Sequence, residues 1–250
     1  MRFILVHGSM HGAWCFDRLV PELTRRGHQA VAVDLPGLGD RRSENASLEG
    51  FRDAVLEALQ PGAVLVGHSM GCVAATLGAD SFPDLAHIVY LAGPLPIEGA
   101  PILEAVQAGV TEEGTRVRVS GGADAYMTLT ADGIAATIAP TAARECFYQD
   151  CDDDTVDWAL ARLCPQQIDV LTKPVSVPDF WRRNPRRSYI RCSEDRAVLP
   201  EVSALASARL GVRPLTIPGS HSPFLSRPST LAEVLLQAIS TKHLSDLKPT

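Results

Sequence analysis

The sequence predicts an α/β protein: a doubly wound, mostly parallel sheet with a mainly helical cap inserted into it. Three observations lead there. Strand-length apolar runs alternate with helical patterns through residues 1–93, the rhythm of βαβ units. That rhythm stops after Pro94 and resumes at RRSYIRCSED (186–195). Polar residues able to do chemistry stand directly after three of the apolar runs, where open parallel sheets gather their sites.

Each element has its own signal. RFILVHG (2–8) is a continuous apolar run, as expected of a parallel strand buried on both faces. It is too short for the apolar stretch of a leader peptide and has no cleavage pattern, so it reads as the first strand. WCFDRLVPELTRRG (14–27) reads as a helix with Leu19, Val20 and Leu23 on one side and Gly27 at its C-terminal end. HQAVAVDLPGLG (28–39) is a strand running into a Gly/Pro loop. Ser47 is placed to cap a helix in which Leu48, Phe51, Val55 and Leu59 recur at helical spacing. AVLVGHS (63–69) is the third strand, MGCVAATLGADSF a tightly packed helix of small residues, and AHIVYLAG (86–93) the fourth strand. Right-handed crossovers between parallel strands place helices on both faces. Residues 94–180 show helical patches (ILEAVQAGV, DTVDWALARL) and no buried strand of the same kind. RRSYIRCSED (186–195) and GVRPLTIPGSHS (211–222) restore the alternation, and STLAEVLLQAISTKHL (229–244) is the last helix before a frayed tail. The expected organisation is a core of 1–93 and 181–250 with a cap of 94–180.

Composition narrows the function classes. The chain has 250 residues and a net charge of −6, enough for one sizeable core and without the basic face that nucleic-acid binding needs. No apolar stretch reaches the roughly 18 residues of a membrane span. Six cysteines without a CxxC pair point to reduced thiols and a cytoplasmic protein. Asp152, Asp153 and Asp154 read as the dipole-favoured first turn of a helix rather than a metal site, and no metal is expected. RRNPRR (182–187) reads as a surface loop closing the cap.

The chemistry centres on Gly67-His68-Ser69-Met70-Gly71. A serine hydroxyl becomes a nucleophile when a base takes its proton and a third group orients that base. Ser69, Asp195 and His221 each follow a strand, in the order Ser–Asp–His used by G-x-S-x-G hydrolases. Glu194 is a rival acid beside Asp195. Flanking glycines let neighbouring backbone pass close to a strained turn. The Met70 N–H, at a helix N-terminus, is one expected oxyanion donor. The loop HGSMHGAW (7–14) supplies the other, Ser9 first and Met10 second. Met10 and His11 are candidates to line the substrate pocket. His7 reads as loop-structuring and His68 as packing, and His28, His87 and His243 as surface or packing residues. Trp14, Phe147, Tyr148, Trp158, Phe180 and Trp181 are core or cap residues, some of them lining the cavity.

The stretches VHGSMHGAWCFDRLVPEL, GHQAVAVDLPGLGD, VLVGHSMGCVAA, FYQDCDDDTVDWALARLCPQ, YIRCSEDRAVLPE and GSHSPFLSRPSTLAEVL resemble the α/β-hydrolase superfamily, and within it the plant methyl esterase and hydroxynitrile lyase family with its bacterial relatives. The resemblance implies Ser69 as nucleophile, His221 as base and Asp195, rather than Glu194, as acid. It implies a small hydrophobic acyl pocket under the cap, no cofactor, and a small-molecule ester substrate of methyl ester or lactone type. A homodimer is compatible with it. The cyanohydrin-cleaving branch carries a lysine directly after the histidine. Ser222 stands there, which argues against lyase chemistry, and the family's usual methionine is absent too. The Ser9-Met10 pair departs from the commoner small-then-aromatic pairing, which bears on pocket shape. Two rival readings keep the fold: a cofactor-free lyase or cyclase using the triad for acid–base work, and a ligand receptor on a hydrolase scaffold.

Overall fold

The computed structural model describes residues 1–110, 116–118 and 121–240, with side chains outside 106–120. The core alternates β1 (Arg2–Val6), α1 (Leu19–Arg25), β2 (Gln29–Val33), α2 (Leu48–Ala58), β3 (Val64–His68), α3 (Gly71–Ser81) and β4 (His87–Leu91). Between β4 and the next long strand lie α4 (Ile102–Gln107), β5 (Ala108–Val110), β6 (Arg116–Arg118), β7 (Met127–Leu129), β8 (Ala135–Ile138), α5 (Pro140–Phe147), α6 (Asp153–Leu160), β9 (Gln166–Gln167), α7 (Asp169–Thr172) and α8 (Pro178–Arg183). The core then resumes with β10 (Arg187–Cys192), α9 (Pro200–Arg209), β11 (Leu215–Ile217), α10 (Pro223–Ser226) and α11 (Pro228–Ser240).

Six parallel strands form one sheet in the order β11-β10-β4-β3-β1-β2. Side chains alternate across a strand, and β1 shows why its run is apolar throughout. Ile4 and Val6 join a cluster with Phe51, Val55 and Val73 on one face. Phe3 and Leu5 join Leu19, Leu23, Leu231 and Leu235 on the other. Both faces are therefore dry and covered by helices. The small-residue composition of α3 also has a steric cause: a Cβ on Gly78 would run into Val55 of α2.

Local expectations meet the structure in detail. The Ser47 hydroxyl accepts the Gly50 N–H at 2.9 Å and caps α2. The stretch 14–27 is not one helix. It opens with a 3-10 turn over Ala13–Phe16, because the Asp34 carboxylate holds the Ala13 N–H at 2.7 Å, and α1 starts only at Leu19. Gly27 follows α1 with φ +80°, the left-handed turn that favours glycine. The insertion holds two small antiparallel sheets, β5-β6 and β7-β8-β9, beside its helices. Strands of two to four residues, with β7 half exposed and β8 reading AATI, leave no buried apolar run to find. Residues 241–244 of the last predicted helix, the tail and His243 lie outside the described residues. No helix among the described residues is long and apolar enough to cross a membrane.

Candidate active site

β1 lies between β2 and β3, so the chain reverses its direction of strand addition there. The crevice at the carboxyl ends of such neighbours is where parallel sheets hold ligands. Ser69 follows β3 and the 7–12 loop follows β1, which places them side by side. Ser69 has φ +53° and is tied to β4 through its N–H and the Leu91 carbonyl, 3.0 Å. Close packing enforces that conformation. A Cβ on Gly8 would lie 2.7 Å from the Ser69 Cβ, and one on Gly93 would lie 2.9 Å from the Ser69 Cα. A Cβ on Gly67 would stand 2.7 Å from the Cys72 Cα, and one on Gly71 2.6 Å from the Val6 carbonyl. Among the described residues, three of the four non-glycine positions with positive φ, Met10, Ser69 and Ala92, follow β1, β3 and β4. Each costs on the order of 1 kcal/mol or more, and such strain clusters where geometry is used.

Asp195 follows β10 and His221 follows β11. Asp195 Oδ1 accepts the N–H groups of Ala197 and Val198, each at 2.9 Å. Its Oδ2 takes the His221 Nδ1–H at 2.9 Å, and the two side chains are 3% and 2% exposed. That bond fixes the tautomer that leaves Nε2 as an acceptor. The Glu194 side chain is exposed. Among the described residues, neither His221 Nε2 nor the Ser69 hydroxyl makes a hydrogen bond, and both residues line one cavity.

The N–H groups of Met70 and Ser9 likewise meet no acceptor among the described residues, although Met70 is buried. The loop carrying Ser9 is held from several sides. His7 Nδ1–H donates to the Gly8 carbonyl at 2.8 Å, and its Nε2 accepts the Leu35 N–H at 3.1 Å. His11 Nδ1–H donates to the Ser9 carbonyl at 2.8 Å. The Met10 carbonyl accepts the Cys164 N–H at 3.0 Å. Burial pushes His7 down, His11 down to about 3 and His68 well down, so all three are neutral here.

The cavity has a volume of about 70 Å³, room for several waters, and its lining contains no Lys or Arg among the described residues. The core contributes Ser9, Met10, His11, Ser69, Met70 and His221, and the insertion closes it with Ile102, Met127, Phe147 and Leu171 among others. Every methionine after Met1 faces this space. Of the six aromatic candidates only Phe147 lines it; Trp14 packs on Trp158, and Phe180 on Trp181. Asp152 caps α6 through the Thr155 N–H at 2.7 Å. No group of three His, Cys, Asp or Glu among the described residues could hold a metal ion.

One residue differs from its sequence reading. His68 does more than pack: its Nε2–H donates to the backbone carbonyl of His221 at 2.9 Å, and its ring centroid is 4.5 Å from that of His221. Ser222, directly after His221, is fully buried outside the cavity lining, and its hydroxyl has no partner among the described residues. Long-range bonds of this kind have no local sequence signal.

The chain belongs to the alpha/beta hydrolase family, whose model matches residues 3–234. It is 35% identical to Esterase PIR7B of Oryza sativa subsp. japonica, over 96% of each chain. It is 28% identical to norfluorocurarine synthase 2 of Strychnos sp, over 94% of each. Among solved structures it resembles an extracellular alpha/beta-hydrolase from a Paenibacillus species, described as sharing structural and functional homology with tobacco salicylic acid binding protein 2. The TM-score is 0.80 at 20% identity, covering 95% of this chain and 98% of that one. That likeness shows the fold.

Proposed function

We propose that the protein is a cofactor-independent serine esterase acting on a small, largely apolar carboxylic ester of methyl ester or lactone type. The observation that carries the reading is the buried His221–Asp195 bond of 2.9 Å beside a serine held at φ +53° in the same cavity. Ser69 Oγ attacks the ester carbonyl while His221 Nε2 takes its proton. Asp195 orients the imidazole and stabilises the imidazolium. The N–H groups of Met70 and Ser9 receive the oxyanion. His221 then returns the proton to the leaving alcohol, and water cleaves the acyl-enzyme by the same route. Residues 94–180 serve as the cap, and a lining without Lys or Arg among the described residues favours an acyl group that carries no negative charge. Six unpaired cysteines fit a reducing, cytoplasmic setting. The 35% identity to a rice esterase supports the reaction class.

Hydrolysis of p-nitrophenyl, methyl and lactone esters of graded chain length tests the proposal. Wild type is expected to turn over the short ones, and Ser69→Ala none. Retained activity in Ser69→Ala would overturn it. The likeness to a synthase favours one second reading, a cyclase or lyase in which His221 does acid–base work without an acyl-enzyme. Such an enzyme would accumulate no acylated Ser69.

A further inference from the structure

Four consecutive residues of the insertion, Phe147 at the end of α5 and Tyr148, Gln149 and Asp150 in the turn that leads to α6, run along the candidate site. Each points a polar atom at a loop of the candidate site. The Phe147 carbonyl accepts the Ser220 hydroxyl at 3.2 Å. The Tyr148 hydroxyl meets His11 Nε2 at 2.6 Å. Gln149 Nε2–H donates to the Glu194 carbonyl at 2.6 Å. Asp150 Oδ2 accepts the Ser220 N–H at 3.1 Å, the Ser226 hydroxyl at 3.1 Å and the Arg227 guanidinium at 3.0 Å. Ser220 precedes the base, Glu194 precedes the acid, and His11 holds the Ser9 carbonyl in the oxyanion loop.

We propose that Phe147–Asp150 is the positioning strut of the site, one tetrapeptide that sets the loops of the oxyanion donor, the acid and the base relative to each other. The assignment of those loops rests on the serine esterase reading; the strut itself rests on the bonds. The geometry gives the Tyr148 branch a fixed direction. Tyr148 and His11 are buried at 0% and 2% exposure. Burial keeps the phenol protonated and the imidazole neutral. The phenol therefore donates to Nε2, and Nδ1–H donates to the Ser9 carbonyl, a relay with one polarity and no alternative partner among the described residues. The turn is rigid at both ends. The Tyr148 N–H closes on the Arg144 carbonyl of α5 at 3.0 Å, the Cys151 N–H on the Tyr148 carbonyl at 2.9 Å, and Asp152 caps α6. Arg18 then ties α6 to α10, donating to the Thr155 hydroxyl at 2.9 Å and the Leu225 carbonyl at 3.1 Å. The segment that closes the cavity thus also aligns what lies beneath it. Misplacement of a reacting group by about 1 Å can cost 10²-fold, so Tyr148, Gln149 and Asp150, which lie outside the cavity lining, act on rate through the loops they hold.

The test pairs Tyr148→Phe and Asp150→Ala with amide hydrogen exchange and with p-nitrophenyl acetate kinetics. Tyr148→Phe should raise exchange in peptides covering 7–14 and leave 219–227 unchanged; Asp150→Ala should do the reverse. Both should lower kcat about tenfold or more with KM within about twofold. His11→Asn, whose amide can replace the Nδ1–H donor to Ser9, should retain more activity than His11→Ala. Exchange that responds as stated in a protein with no esterase turnover would support the strut and defeat the esterase reading instead. Unchanged exchange, or a loss confined to KM, in folded variants would overturn the strut. Should Asp150→Ala lose its fold, Gln149→Ala replaces it: raised exchange over 193–198 supports the strut, and unchanged exchange there overturns it.

Discussion

Acid should destabilise this protein well above the range where carboxylates titrate, because His7, His11 and His68 are buried and held neutral. The sign follows from proton counting. Each has a folded pKa below its ordinary value of 6.5, so below pH 6.5 the unfolded chain binds protons that the folded one refuses. Stability is then complete above the unfolded pKa and falls as pH drops below it. At pH 5.5 an unfolded histidine is protonated about ten to one, which costs about 1.4 kcal/mol per residue relative to pH 7.5. His11, held at about 3, contributes that full amount, and His7 and His68 add in the same direction, against the roughly 5–15 kcal/mol that holds a domain together. Carboxylates with lowered pKa values, such as Glu22, Glu44 and Asp152, enter only near or below their ordinary values of 4.5 and 3.8. The interval from 7.5 to 5.5 therefore belongs to histidine. Urea unfolding followed by tryptophan fluorescence at the two pH values measures the difference. His11→Asn should reduce it by about 1.4 kcal/mol. A loss under about 1 kcal/mol, or a gain, would refute the reasoning.

Gly71→Ala should destabilise strongly, by about 3 kcal/mol or more, because its Cβ would press on the carbonyls of Val6 and His7. Gly62→Ala is the control: it has φ +77° and open space, so it should lose only about 1–2 kcal/mol. Equal chemical melts for the two would contradict the packing of the elbow against β1. The cysteines should react slowly with a disulfide reagent near neutral pH in the native protein and all six on unfolding, since burial raises five of them clearly and holds even half-buried Cys151 at about 12. Rapid native labelling would count against that.

The sheet was legible because strands buried on both faces leave an unbroken apolar signal, as in RFILV and VLVGH. The serine elbow was legible because close approach demands glycine on both sides of it. The insertion was only half legible. Its strands β8 and β9 contribute AATI and QQ, which bury little and alternate weakly. His68 was read as packing, Phe147 and Tyr148 as core or cap residues, and Gln149 and Asp150 drew no reading, because their partners lie 153 residues away for His68 and 45 to 137 away for the others. Local pattern carries no record of such bonds. Asp195 could be placed over Glu194 by resemblance, and the buried bond to His221 gives the physical reason.

The most direct test of the central claim is a rapid-quench experiment with p-nitrophenyl acetate followed by peptide mass spectrometry. The account expects a burst of p-nitrophenol with one acetyl group on Ser69, absent from Ser69→Ala and slowed in His221→Ala. Turnover of the ester with Ser69 unmodified at every quench time, or acetyl on another residue, would contradict it.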